Sequence, residues 1–253
     1  MLYTLSAFIM LAGTSPPLDS YTTDTPWAAI PLANCEATLA QAQLEDYVRL
    51  NSVQIKRLRL SGHKDMYCHV PQAVHYRTGP GSIRYTSYLL LSCRMAAALA
   101  QFEILAQHTA KDIFGNNARI TSIRMLGAYR CRRLRDAKTR QSEHSFGNAL
   151  DVHSFYISNF GLVDVKTHWG PEAARKGEAA HTFLHALIHR LRQTHVFTTL
   201  LTPDFNEAHR NHFHFDCRIH KQSSGSTGGV GTLPNMTLDM GRIPLPPRME
   251  QVP

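Results

Sequence analysis

The sequence predicts an α+β fold, and three observations carry the prediction. Leu91, Met95, Ala98, Leu99, Phe102 and Leu105 recur at spacings of three and four with alanines between them, the apolar stripe of a helix over about 92–110. Phe183, Leu184, Leu187, Ile188 and Leu191 repeat the pattern for a second amphipathic helix. Beside them stand period-two stretches, clearest in His212-Phe213-His214-Phe215-Asp216-Cys217, where polar and apolar side chains alternate as on a half-buried strand.

At 253 residues, 43% hydrophobic and 18% charged, the chain has a globular composition and enough length to bury a sizeable core. Its net charge of +8 admits an anionic partner without choosing among nucleic acid, an acidic polymer and a membrane surface. The densest basic run, 130–135, interleaves Cys and Leu and reads as a solvated face beside a site, so no nucleic-acid partner is expected. Cys35, Cys68, Cys93, Cys131 and Cys217 are widely spread with no CxxC pair, which disfavours a structural zinc knuckle. The spacing suits long-range disulfides with one cysteine left over, and equally suits reduced, buried thiols. Leu5 and the apolar residues after it, up to Gly13, are too few to span a bilayer but suit the core of a secretory signal, although the first basic residue is Arg49. A secreted or periplasmic protein with no transmembrane span in its mature form is expected.

In chain order, 1–34 read as an apolar segment and an extended lead-in rich in Thr, Pro and Ser, and 35–221 as one domain. Cys35 onward suits a short helix, and Val53 and Ile55 alternate as in a strand. Gly62-His63-Lys64-Asp65 reads as a turn, Cys68-His69-Val70-Pro71 as extended, and Thr78-Gly79-Pro80-Gly81 as a break. After the long helix, Gly115-Asn116-Asn117 is a stop, and 119–124 suggest a strand leading into Gly127-Ala128-Tyr129-Arg130-Cys131-Arg132. A polar loop spans 136–141. Gly147-Asn148 turns the chain into a strand from Ala149 to Phe155, with Asp151 and His153 facing one way and Leu150 and Val152 the other. Ser158-Asn159-Phe160-Gly161 closes a hairpin whose return strand is Leu162-Val163-Asp164-Val165. From 222 to 253 the Gly, Ser and Pro content reads as a flexible tail without a core of its own.

Chemistry concentrates in two stretches, Ser142 to Asp151 and His209 to Asp216. On the second, period two puts His212, His214 and Asp216 on one face; alone, such a strand more often just shows its histidines to solvent. His144 and Asp151 lie seven positions apart, which an unbroken strand would point to opposite faces, but the Gly147-Asn148 turn lets them converge. Together the stretches supply His, Asp and His, a donor set that suits zinc with a fourth position left for water. Such a centre acidifies water and polarises a carbonyl. A base and an oxyanion donor are then required: His212 stands next to His214 for the first, and Arg130 or Arg132 could serve the second or a substrate carboxylate. Tyr129 and Trp169 fit a cleft floor or the core. His153, His168, His181, His185 and His189 fit a groove or helix surfaces.

Ser142-x-His144-x-x-Gly147-x-Ala149-x-Asp151 followed by His212-x-His214 resembles the zinc site of the lysostaphin, D-Ala-D-Ala metallopeptidase and Hedgehog group. More closely, the chain from Cys35 to Ile219 resembles the bacterial extensin-like C-terminal domain family. The landmarks are Leu91-Ser92-Cys93-Arg94-Met95-Ala96, Gly127 to Arg132, Ser142-Glu143-His144, Asn148-Ala149-Leu150-Asp151-Val152 and His209 to Asp216. The resemblance implies a small antiparallel β-sheet carrying the zinc site, flanked by helices. It implies Zn2+ held by His144, Asp151 and His214, and peptidase action on bacterial peptidoglycan peptides. Where the D-Ala-D-Ala dipeptidase branch has a Glu base, this chain has Asn211; the arrangement is nearer to the murein endopeptidases, in which the first His of the HxH, here His212, is the base. His209 matches a further histidine of that branch and stands as a supporting residue behind the ligands. The family tends to carry a cysteine near Thr194-His195 and this chain has none, which leaves the partner of Cys131 open, with Cys217 as a substitute. The expectation is a zinc-dependent DD- or LD-endopeptidase or carboxypeptidase acting on stem peptides or cross-links. The alternative is a non-catalytic, zinc-containing module of the same fold that binds cell wall or a protein.

Overall fold

The computed structural model describes residues 32, 34–44, 46–58, 66–134 and 140–218. The expected apolar N-terminal segment, the turn at 62–65, most of the loop at 136–141 and the tail at 222–253 lie outside the described residues. The chain runs α1 (Cys35–Gln41), β1 (Tyr47–Leu58), β2 (Met66–Tyr76), β3 (Arg84–Tyr85), β4 (Leu89–Ser92), α2 (Cys93–Phe114) and β5 (Ile120–Gly127). Then follow a 3-10 turn (Glu143–Phe146), β6 (Ala149–Ile157), β7 (Gly161–Asp164), α3 (Val165–His168), α4 (Pro171–Arg175), α5 (Ala179–Thr194), β8 (Thr199–Leu201), a second 3-10 turn (Glu207–His209) and β9 (Phe213–Asp216).

This is the α+β architecture expected. Strands β1, β2 and β4 form an antiparallel sheet; a second sheet has the order β3-β5-β6-β9-β8, with β7 also on β6. The second sheet is antiparallel apart from the two-residue β3, which runs parallel to β5. Helix α2 lies at the centre of the core. Ser92 caps it by accepting from the Met95 N–H, and Gly115, at φ 97°, ends it. It runs to Phe114 rather than stopping near 110, because Ile113 and Phe114 still pack on the core. Phe102 meets Phe197 and Phe215, while α5 closes over α2 through Phe183, Leu187 and Leu191. The buried Arg190 of α5 pairs with Asp112 at 2.7 Å and donates to Thr109 at 3.0 Å.

Strand β6 holds the second sheet together. Leu150 and Val152 pair with Phe215 and Phe213 of β9 and face the core. Simple alternation along β6 fails at one place. Arg124 pairs with Ser154 but Met125 with Val152, so His153 has no residue opposite it on β5. The bulge reverses the phase and turns Phe155 into the core although it shares odd parity with Asp151. It falls where the partner of β6 changes from β9 to β7.

Two disulfides fasten the layers. Cys35–Cys93 ties α1 to the start of α2, and Cys68–Cys131 ties β2 to the segment after β5. Cys131 therefore pairs with Cys68, not with Cys217, which is the free, buried cysteine; burial pushes its thiol up. With sequence separations of 58 and 63, each bridge removes about 4 kcal/mol of unfolded-state entropy in the chain-entropy model. Two disulfides, and no helix among the described residues long and apolar enough to cross a membrane, are compatible with an extracellular or periplasmic location.

A buried carboxylate locks the turn before β3 onto α2. Glu103 is 0% exposed; its Oε1 accepts from the Tyr76 and Tyr85 hydroxyls at 2.9 and 2.7 Å, and its Oε2 from the Gly81 N–H at 2.8 Å. A Cβ at Gly81 would lie 2.8 Å from the Glu103 Cβ, so only glycine permits this approach. Burial pushes the Glu103 carboxyl above the usual range, and the hydrogen bonds offset part of the rise. Since the folded pKa is the higher one, the proton-linked stability is fully present below the unfolded value and is lost as pH rises through the folded value. Glu103→Ala orphans three donors, at a cost of about 3 kcal/mol or more. Urea titrations should show the wild-type advantage over this variant greatest in acid, shrinking as pH climbs from about 4. A constant advantage across that range would contradict the assignment.

Candidate metal centre

The first stretch is shaped by Gly147. It ends the 3-10 turn at φ 66°, its carbonyl accepts from the Ser92 N–H at 2.9 Å, and an added Cβ would lie 2.8 Å from Ser92 N. This glycine seats the turn against the start of α2 and reverses the chain between His144 and Asp151. Asp151 then enters β6 directly opposite His214 on β9. Sheet register, not chain proximity, joins the two stretches.

His144 is 1% exposed, and its Nδ1 faces the Ala128 carbonyl at 2.5 Å. A carbonyl only accepts, so Nδ1 carries the proton and Nε2 keeps a lone pair. That Nε2 is buried and makes no hydrogen bond, although Asp151 Oδ1 lies 3.2 Å away. The distance satisfies an ion pair while the angle misses a hydrogen bond, which is how two ligands of one ion approach each other. Asp151 Oδ1 is also 2.9 Å from His214 Nδ1, and His214 Nε2 faces Asp216 Oδ2 at 3.4 Å. The ligand atoms of His144, Asp151 and His214 all lie within 4.8 Å of one another, and among the described residues they form the one such group of three or more. Two imidazoles and a carboxylate, each imidazole backed by an acceptor on its other nitrogen, fit zinc.

Electrostatics agree with the geometry. Burial opposes ionisation of Asp151, but the two flanking imidazoles, with the His214 hydrogen bond at 2.9 Å, outweigh it and hold the carboxyl well below its ordinary range. Burial disfavours the charged form of His214 too, yet Asp151 and Asp216 push it up to about 9, so in the metal-free chain a proton fills this position. A cation entering the cluster replaces that proton.

His212 does not belong to β9. Its N–H bonds back to the His209 carbonyl at 3.2 Å, closing the turn that precedes the strand. This still brings Nε2 to 3.6 Å from Asp151 Oδ1, while Nδ1 faces Asn211 Oδ1 at 2.9 Å. Burial, with the neighbouring histidine charges, outweighs Asp151 and lowers His212, leaving it neutral with a lone pair on the cluster side. His209 packs 5.3 Å from the His212 ring and 5.9 Å from that of His214, with Nδ1 on Asn206 Oδ1 at 2.7 Å. Burial, then the charges of His212 and His214, push it down to about 4.

The arginines separate. Arg130 is exposed, and its N–H donates to the His144 carbonyl at 3.0 Å. Arg132 is partly buried, its backbone is bound to Ser142 and Ser145, and its charge reaches His209. Of the pair, Arg132 is the one whose charge acts on His209. Trp169 is core: it stacks on His185 at 3.8 Å, meets Phe213 edge-on and donates to Asp204. Tyr129 packs on Val70, Ala73 and Leu90 rather than flooring a cleft. His153 lies 3.3 Å from Asp164, and His168 and His181 bond to nearby backbone, outside the cluster.

Four partners have no role assigned from the sequence alone. The Ala128 carbonyl carries no side-chain signal. Asp216 was visible, two residues beyond His214 on the same strand face. Glu143 lies in the first stretch and Arg218 just past the second, but only the folded register shows them meeting at 3.2 Å.

Fold and cluster together define a disulfide-linked α+β domain whose two-histidine, one-aspartate cluster is held by a 3-10 turn and two adjacent strands. The model of the extensin-like protein C-terminus family matches residues 33–226, and the chain belongs to that family. No curated protein and no solved structure matches it.

Proposed function

We propose that this protein is a zinc-dependent peptidase that hydrolyses amide bonds in bacterial peptidoglycan stem peptides or cross-links, with a site of the lysostaphin and D-Ala-D-Ala metallopeptidase kind. The observation that carries the reading is the orphaned His144 Nε2, buried and aimed with His214 Nδ1 at one oxygen of Asp151. A zinc ion held by these three would supply Lewis acidity, polarising the scissile carbonyl and acidifying water.

The chain's own residues supply the rest. His212 Nε2 takes the proton of the attacking water and returns it to the departing amine nitrogen as the C–N bond breaks. Arg132 offers positive charge to the developing oxyanion or to a substrate carboxylate. The sheet face that bears Asp151 and His214 continues past the cluster to the Tyr156–Leu162 pair, 53% and 56% exposed. An open, partly apolar strand face suits an extended polymer better than an enclosed small molecule.

The test is a mass-spectrometric digest of purified bacterial peptidoglycan by the whole chain with zinc, with chelator, and with His214→Ala. New muropeptides that vanish in both controls support the peptidase, and their masses name the bond. An unchanged digest from folded, zinc-loaded protein would sink it in favour of the non-catalytic binding module.

A further inference from the structure

Behind the metal cluster two buried carboxylates share one guanidinium. Glu143, next to His144 in sequence, and Asp216, behind His214, have side chains 9% and 1% exposed. Arg218 reaches both: Nε donates to Glu143 Oε1 at 3.2 Å, Nη2 lies 3.6 Å from Asp216 Oδ2, and its backbone N–H donates to Asp216 Oδ1 at 3.1 Å. Glu143 Oε2 accepts from Asn148 Nδ2 at 3.3 Å, within the turn between His144 and Asp151. A continuous path therefore runs from the first stretch through Glu143, Arg218 and Asp216 to His214.

Two carboxylates this buried, both within 3.6 Å of one guanidinium, repel each other. A guanidinium between them is the arrangement that keeps both in place, since its planar fork can serve two acceptors at once. Asp216 Oδ1 accepts from the Arg218 backbone N–H, and its Oδ2 lies within ion-pair distance of both Arg218 Nη2 and His214 Nε2 without a hydrogen bond to either, so its charge faces Nε2 while Nδ1 faces Asp151. We propose that Arg218 is a positioning residue of the metal centre, bridging Glu143 and Asp216 so that Asp216 orients His214 for zinc. The inference rests on the zinc reading above.

Zinc affinity of the whole chain, read by competition with a fluorescent chelator and with no substrate present, tests it. Arg218→Met should weaken zinc binding about 10- to 100-fold, the usual effect of losing a partner that orients a ligand, and Arg218→Lys should recover part of the loss. Adding Glu143→Gln to Arg218→Met should also recover affinity, because removing one charge relieves the repulsion that displaces Asp216. A merely structural ion pair predicts the opposite, zinc affinity unchanged by either substitution and coupled losses of stability alone. Should Arg218→Met fail to fold, Asp216→Asn and Arg218→Lys carry the test, with affinity falling in the first and held nearer to wild type in the second. Folded Arg218→Met, or Asp216→Asn in its place, with wild-type affinity would overturn the clamp while leaving the zinc reading intact. A wild-type chain that takes no zinc would overturn both.

Discussion

His144→Ala should remove zinc binding while leaving a folded protein. The imidazole contributes a buried ring nitrogen with no hydrogen bond, and the Ala128 carbonyl on the opposite nitrogen holds the ring in place. If about 10–16 kcal/mol of zinc affinity divides over four ligands, one ligand is worth roughly a hundredfold to a thousandfold. Loss of a buried side chain also costs stability, so calorimetric titration belongs beside a melting curve. His153→Ala is the control. That histidine is two residues beyond Asp151 on β6 and paired with Asp164, but it stands outside the cluster, and its removal should leave zinc affinity near the wild-type value. Equal losses from the two variants would mean that the cluster is not the metal site.

His212→Ala should do the reverse, keeping zinc and losing turnover. A general base contributes typically 10²–10⁴-fold, and kcat/KM on a muropeptide substrate should fall by about that range. The pH profile gives the sign. Burial and the neighbouring charges lower His212, so the competent, unprotonated form persists below the ordinary histidine value of about 6.5. A cation in the cluster pushes in the same direction. Wild-type kcat/KM should therefore hold at neutral pH and fall only as pH drops below that value, and His212→Ala should erase that limb. A variant that retains both rate and acid limb would remove His212 from the mechanism.

How far the sequence alone reached follows from what kind of signal each feature leaves. The α2 stripe from Met95 to Leu105 and the alternation of Phe213 and Phe215 against His214 are burial patterns written directly into residue type, so both elements were legible, although Leu91, read into the stripe, belongs to β4. The turn at Gly147 was legible because it requires positive φ. Side-chain direction in β6 was only half legible: Asp151 follows the alternation, but the bulge at His153 arises from pairing with β5, which no local pattern encodes. The short β3, β4 and β8 were invisible for a related reason. They exist because neighbouring strands supply partners, not because their own residues show a period. Cys217 illustrates the limit in another way. Counting identified one unpaired cysteine, but the choice of which one depends on the layer packing that brings Cys68 to Cys131. The partners of the cluster divide likewise, with Asp216 readable from spacing and the Ala128 carbonyl and Arg218 from the folded register alone.

The most direct test is zinc-edge X-ray absorption on the whole chain loaded with one equivalent of zinc, compared with His144→Ala, Asp151→Ala and His214→Ala. The account predicts a single site with two imidazole nitrogens at about 2.0–2.1 Å and oxygen in the remaining positions, degraded in all three variants. A sulfur-containing shell, or a wild-type spectrum retained when any of the three is removed, would place the metal elsewhere and contradict it.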